Sequence, residues 1–169
     1  YLTNRYDSTL SVVDLNTFEE IKKIPVGLNP YRVRVDKYGK LWVSCRGNYG
    51  NVAPSLAVVE GDMVTKRFAI QCDNISLLGD SLYVLDAKAK TLSVINTQTF
   101  QITPQNTISS DLQNYEIPFG LLATHNSIYI TDAKNYVSSG TLHCYSLSGL
   151  HRWQAKTGDI PGHLCLVGV

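Results

Sequence analysis

The chain has 169 residues and 44% hydrophobic residues, which is enough for a packed core and too many for a disordered chain. Its net charge of +1, without Lys/Arg-rich segments interleaved with aromatics, argues against nucleic acid or an anionic membrane as a partner. No apolar run approaches the roughly 18 residues of a membrane helix, so no membrane span is predicted.

The first 45 residues read as strand, turn, strand, turn, strand, and then the pattern repeats. The opening strand at residues 1–4 returns at 41–44, 82–85 and 128–131, steps of about 40 to 46 residues that are typical of a four-stranded propeller blade. No helix is predicted. The other strands are predicted at residues 9–14, 20–26, 31–35, 55–60, 64–70, 75–78, 91–95, 101–103, after 118–120, and at 141–145, 152–155 and 162–166.

With the strands of a blade labelled a to d, residues 1–169 read as one all-β propeller region. They contain strands b, c and d of one blade, then three complete blades of antiparallel strands, and finally a lone strand a. Together these strands amount to four blades. Two arrangements follow. The chain is part of a larger ring, or it closes as a four-bladed ring in which the last strand completes the first blade. In the first arrangement, additional chain or a second copy must complete the ring, because uncovered apolar blade faces are unfavourable in water.

The strongest repeat resembles a known family. Tyr-Leu-Thr-Asn at 1–4, Ser-Thr-Leu-Ser-Val-Val-Asp at 8–14 and Ile-Pro-Val-Gly at 24–27 resemble the YVTN-type β-propeller repeat, and residues 91–96 match it again. Arg32 stands where that repeat usually has Gly. The looser repeats resemble uncharacterised propeller lipoproteins of Bacteroidetes cell envelopes. The resemblance implies a seven-bladed ring and a location outside the cytoplasm, in the periplasm or at the cell surface. It carries no catalytic residues.

In a propeller, the loops that join d to a and b to c emerge on one face, where ligands usually bind. Flat Tyr rings with Asn and Arg donors suit a sugar or an anionic group, whereas an ordinary polar loop rim is the alternative. Arg32 and Arg34 alternate with Val33 and Val35, which are expected to face the core. The predicted ligand-binding residues are Arg5, Tyr31, Arg32, Arg46, Asn48, Tyr49, Lys134, Asn135, Tyr136 and His163.

No catalytic residue, metal site or cofactor is predicted. The histidines lack ligand spacing, and there is no calcium loop, nucleophile elbow or phosphate loop. The four cysteines are interpreted as small buried hydrophobes, with a Cys45–Cys72 disulfide as the alternative. The first hypothesis is a non-catalytic binding module for a glycan or protein partner. The alternatives are a metal-assisted lactonase- or lyase-type enzyme, since related propellers host such chemistry, and a purely structural scaffold.

Overall fold

Short runs of aliphatic and aromatic residues, separated by Gly, Asp and Asn turns, form antiparallel strands along most of the chain. The computed structural model describes residues 1–48 and 50–167. The chain divides into two compact units, Tyr1–Asp73 and Asn74–Val169. Each unit holds two sheets in which strands adjacent in sequence are also adjacent in the sheet.

The first unit contains a three-stranded and a four-stranded sheet. The first sheet has β1 (Leu2–Asn4), β2 (Thr9–Val13) and β3 (Glu20–Pro25); the second has β4 (Pro30–Val35), β5 (Leu41–Cys45), β6 (Ser55–Glu60) and β7 (Met63–Phe68). Their inward-facing apolar residues form one core: Leu10, Ile24, Val26, Leu41, Val43, Cys45, Ala57 and Val59. Val35 was expected to face this core but is 51% exposed, because it lies at the last position of an edge strand.

The second unit contains two four-stranded sheets and a helix. Its elements are β8 (Asn74–Leu78), β9 (Ser81–Asp86), β10 (Thr91–Asn96), β11 (Ile102–Pro104), α1 (Asn106–Leu112), β12 (Pro118–Ala123), β13 (Ile128–Asp132), β14 (Ser139–Tyr145) and β15 (His151–Asp159). The prediction of no helix is wrong here. Helix α1 buries Ile108 and Leu112 in the core of this unit, and at seven residues it is too short to show a helical period in the sequence.

The all-β class and the four-stranded antiparallel sheets are confirmed. These up-and-down sheets are blade-like and fit a propeller. The lone strand predicted at 162–166 is not formed, and the sheet that starts with β1 keeps three strands. A strand needs a hydrogen-bonded neighbour, and this segment has none in the described part of the chain. Cys165 is exposed there, contrary to the buried position expected for it. No helix among the described residues is long and apolar enough to cross a membrane.

Candidate functional site

Four predicted site residues and Asn29 meet at one end of the strands of the first unit. Strand β4 begins where β5 ends, with Pro30 opposite Cys45, so the residues that flank these positions become neighbours. The Arg46 N–H donates to the Asn29 carbonyl over 2.9 Å. Arg5, which follows β1, donates from Nε to Asn29 Oδ1 over 3.0 Å. We call this set, which comprises Arg5, Asn29, Tyr31, Arg32 and Arg46, the arginine–tyrosine cluster.

A β-bulge gives Tyr31 and Arg32 their positions. The register of β4 against β5 runs from Pro30–Cys45 to Arg32–Ser44, which leaves Tyr31 as the extra residue. The N–H of Arg32 donates to Ser44 Oγ over 3.0 Å. In the second unit the register between β12 and β13 shifts in the same way, and the Gly120 N–H donates to Thr131 Oγ1 over 2.7 Å. Arg32 is therefore the residue in the first unit that is equivalent to Gly120 in the second, and it adds a guanidinium at this bulge.

Two guanidinium groups lie against the ring of Tyr31. The Cζ atom of Arg46 is 3.5 Å from the ring centroid, and the Cζ atom of Arg32 is 4.4 Å from it. At these distances the negative face of the ring attracts a cation, which contributes about 0.5–2 kcal/mol per pair. Tyr31 therefore orients two cations and is not an open platform for a ligand ring.

The three arginines of the cluster carry more positive charge than the one nearby carboxylate can neutralise. The Asp73 carboxylate lies opposite Arg46, but the distance from Oδ1 to Nη2 is 3.8 Å, which is too long for a hydrogen bond. The Nε atoms of Arg32 and Arg46 are buried and have no hydrogen-bond acceptor within residues 1–48 and 50–167. Nearby, burial and the charge of Arg32 lower the pKa of Arg34, whose Nη1 donates to the Val33 carbonyl.

The loop after Arg46 uses its polar groups internally. Asn48 Oδ1 accepts the N–H groups of Gly50 and Val52 over 3.0 and 2.9 Å, and its Nδ2 donates to Asn51. Gly47 has φ +66, and a Cβ there would lie 2.2 Å from the Val52 carbonyl oxygen. Asn48 is thus a turn-forming residue. Tyr49 lies outside the described residues.

The site residues predicted in the second unit are mostly engaged in local contacts. Lys134 Nζ pairs with Asp132 Oδ2 at 2.7 Å, and Asn135 Oδ1 accepts the N–H groups of Val137 and Ser138. The Tyr136 ring meets the Phe119 ring edge-on at 5.7 Å. His163 is exposed.

Asp132 organises the segment before β12. Burial alone would raise the pKa of this carboxyl, but hydrogen bonds from the Lys134 ammonium and from the N–H groups of Ile117, Lys134 and Glu116 outweigh burial and lower it. The ionised carboxylate therefore fixes the chain that enters β12.

Sequence reasoning missed a cluster of tyrosines and histidines in the second unit. The hydroxyls of Tyr115 and Tyr145 are 2.6 Å apart, and burial raises the pKa of Tyr145 to about 12. His143 Nε2 is 2.9 Å from Thr141 Oγ1, and its Nδ1 is 3.3 Å from His151 Nε2. Burial, and then the charge of His151, lower the pKa of His143. Pairing of the strands predicted at 141–145 and 152–155 could have indicated that His151, one residue before the second strand, lies near His143, but the position of Tyr115 depends on the unpredicted α1.

The cysteine prediction holds for three of the four thiols. Cys45, Cys72 and Cys144 are buried, and the alternative disulfide between Cys45 and Cys72 is not formed. Cys45 and Arg67 line a mostly apolar cavity of about 370 Å³ in the first unit. Arg67 holds its rim together by donating to the Val26 carbonyl over 2.8 Å and to Ser55 Oγ over 3.0 Å. Across residues 1–48 and 50–167, no group of three or more His, Cys, Asp or Glu side chains is placed to hold a metal ion.

Comparison with family models and with curated protein sequences finds no match for this chain. Among solved structures, the chain is similar to one from the hydrazine synthase of Kuenenia stuttgartiensis, with a TM-score of 0.67 and 14% sequence identity. The alignment covers 92% of this chain and 45% of that chain, so this chain spans less than half the length of its structural neighbour. At this identity the similarity concerns the fold alone.

Proposed function

We propose that this chain is a non-catalytic, extracytoplasmic β-propeller module that binds a glycan or protein partner through the arginine–tyrosine cluster. The observation that carries the proposal is the pair of guanidiniums held against Tyr31, with the facing carboxylate of Asp73 3.8 Å away. Arg and Tyr dominate the binding energy of many interfaces. A purely structural arginine pair would be expected to have closer carboxylate partners than this one.

Backbone hydrogen bonds and packing hold the residues of the cluster in place. Its side chains lie on strand ends and on loops that backbone hydrogen bonds hold together, including Arg46 N to Asn29 O and Gly47 N to Leu28 O at 3.0 Å. The side chain of Arg46 is only 27% exposed, so its orientation is fixed by packing. Preorganised donors bind more tightly because less conformational entropy is lost on binding.

The propeller part of the proposal rests on sheet periodicity and on the resemblance to the YVTN-type repeat. The complete sheets begin at residues 30, 74 and 118, and the strand-like segment at 162 continues the same step. In this proposal the segment pairs with additional chain or a second copy, and another strand pairs with β1. The envelope lipoproteins that the sequence resembles suggest seven blades and a periplasmic or cell-surface location.

Binding to a panel of bacterial-surface glycans and envelope proteins tests the proposal. Tyr31→Leu removes the ring that holds both guanidiniums, and Arg46→Gln removes one of them. Arg152→Gln is the matched control, since Arg152 donates to Asn126 O and Ser127 Oγ in the other unit. We expect Tyr31→Leu and Arg46→Gln, but not Arg152→Gln, to weaken binding by at least about tenfold. Equal affinity of all three variants for every bound partner contradicts the proposal.

A further inference from the structure

We infer that the group recognised by the arginine–tyrosine cluster is a carboxylate on an acidic saccharide. This inference rests on the proposed binding function and adds the chemistry of the ligand. It follows from three observations in the first unit. The Tyr31 ring and the nearby asparagine amide oxygens are engaged within the protein, the Nε–H groups of Arg32 and Arg46 lack an acceptor, and an exposed aromatic ring lies beside the cluster.

The groups suited to a neutral sugar are used within the protein. Tyr31 carries two guanidiniums on its ring, so a pyranose cannot stack on the same surface without displacing them. Asn29 Oδ1 accepts the hydrogen bond of Arg5, and the amide of Asn48 closes its own loop. Neutral sugars are bound through such amides and ring faces, so the Tyr31 ring, Asn29 Oδ1 and the Asn48 amide are not free to bind one.

The donors that remain are cationic. The Nε–H groups of Arg32 and Arg46 are buried and meet no acceptor in the described chain, and an unsatisfied buried donor is unfavourable. Asp73 does not come within hydrogen-bond distance of Arg46 Nη2. A guanidinium binds a carboxylate through two parallel hydrogen bonds, one of which can come from Nε. A bound carboxylate would therefore compensate the charge of the two guanidiniums.

An aromatic ring beside the cluster favours a saccharide over an acidic peptide. The side chain of Tyr6 is 94% exposed, and Arg5 Cζ lies 5.8 Å from its ring centroid. Arg5 connects through Asn29 to Arg46, which places Tyr6 at the margin of the same surface. A flat, solvated ring next to paired guanidiniums matches a pyranose ring that carries a carboxylate.

Isothermal titration with three probes tests this inference: tetragalacturonic acid, neutral cellotetraose and a tetraglutamate peptide. The variants are Arg32→Gln, Arg46→Gln, Arg46→Lys and Tyr6→Ala, with Arg152→Gln as the matched control. Thermal melts and circular dichroism verify that each variant is folded.

We expect saturable binding of tetragalacturonic acid that weakens as salt is raised. Arg32→Gln and Arg46→Gln should each weaken this binding at least about tenfold. Arg46→Lys should retain part of it, because the positive charge remains while the paired N–H donors of the guanidinium are lost. Tyr6→Ala should weaken it severalfold. Arg152→Gln should leave it unchanged.

Three results overturn the inference. If cellotetraose binds as tightly as tetragalacturonic acid, the carboxylate is not the recognised group. If tetraglutamate binds more tightly and Tyr6→Ala has no effect, the ligand is a peptide. If none of the probes binds while a panel partner still depends on Tyr31, the inference fails and the proposed function stands. The proposed function fails on a different result: no glycan or protein of the panel loses affinity when the cluster is mutated.

Discussion

The buried carboxylate of Asp132 provides a quantitative test of how the second unit is held together. Asp132 is 0% exposed and accepts backbone N–H groups from Glu116, Ile117 and Lys134 at 3.1, 2.9 and 3.0 Å. Asp132→Ala leaves these three donors without their acceptor, at a cost of about 1 kcal/mol or more each. The same variant removes the partner of the Lys134 ammonium, which lies 2.7 Å from the buried Oδ2 of Asp132. We therefore expect the free energy of unfolding to fall by roughly 3–5 kcal/mol.

Urea denaturation followed by circular dichroism measures this loss, and Asp86→Ala is the matched control. Asp86 ends β9 as Asp132 ends β13, but it accepts one backbone N–H, from Ala89 at 2.8 Å. Its replacement should cost about 1 kcal/mol. Equal losses of stability in the two variants would mean that the additional hydrogen bonds of Asp132 contribute nothing.

Three further predictions concern stability. The lowered pKa of His143 means that the unfolded chain binds its proton first, so stability is complete above about pH 6.5 and falls below it; His143→Gln should flatten this fall between pH 7 and pH 5 in pH-dependent melts. Gly27→Ala should cost about 1–3 kcal/mol in urea titrations, since Gly27 has φ +127 and an added Cβ would lie 2.8 Å from Arg67 Nη1; a neutral result contradicts the strain argument. Tyr115→Phe and Tyr145→Phe should each cost about 1–3 kcal/mol by orphaning a buried hydroxyl, whereas the double variant should cost less than their sum; strict additivity would mean that the two hydroxyls are not coupled.

The sheets could be predicted because strand signals are local. Period-two alternation and Gly, Asp and Asn turns locate a strand without information about its neighbours. Helix α1 could not be found this way, since its two buried residues, Ile108 and Leu112, are too few to define a period. The segment 162–166 has the pattern of a strand but forms none here, because pairing depends on a neighbour that the pattern does not reveal.

The candidate site could be predicted by location but not by role. The structure brings Arg5, Tyr31, Arg32 and Arg46 together at strand ends. Tyr31 contacts two guanidiniums because it is the extra residue of a β-bulge, and the alternation of apolar and polar residues does not predict where a bulge occurs. Likewise, the sequence does not distinguish a loop asparagine that binds a ligand from one that stabilises its own turn. Asn48 is predicted to bind a ligand, but its side chain stabilises the turn.

Carboxylate binding by the arginine–tyrosine cluster is tested most directly at the two unsatisfied Nε–H groups. In a ¹⁵N-labelled sample, the arginine Nε–H resonances can be followed by NMR during titration with tetragalacturonic acid. We expect saturable shifts for Arg32 and Arg46, whose buried Nε atoms lack acceptors, and none for Arg152. If the Nε–H resonances of Arg32 and Arg46 do not shift, or if that of Arg152 shifts as far as they do, the cluster does not bind the carboxylate.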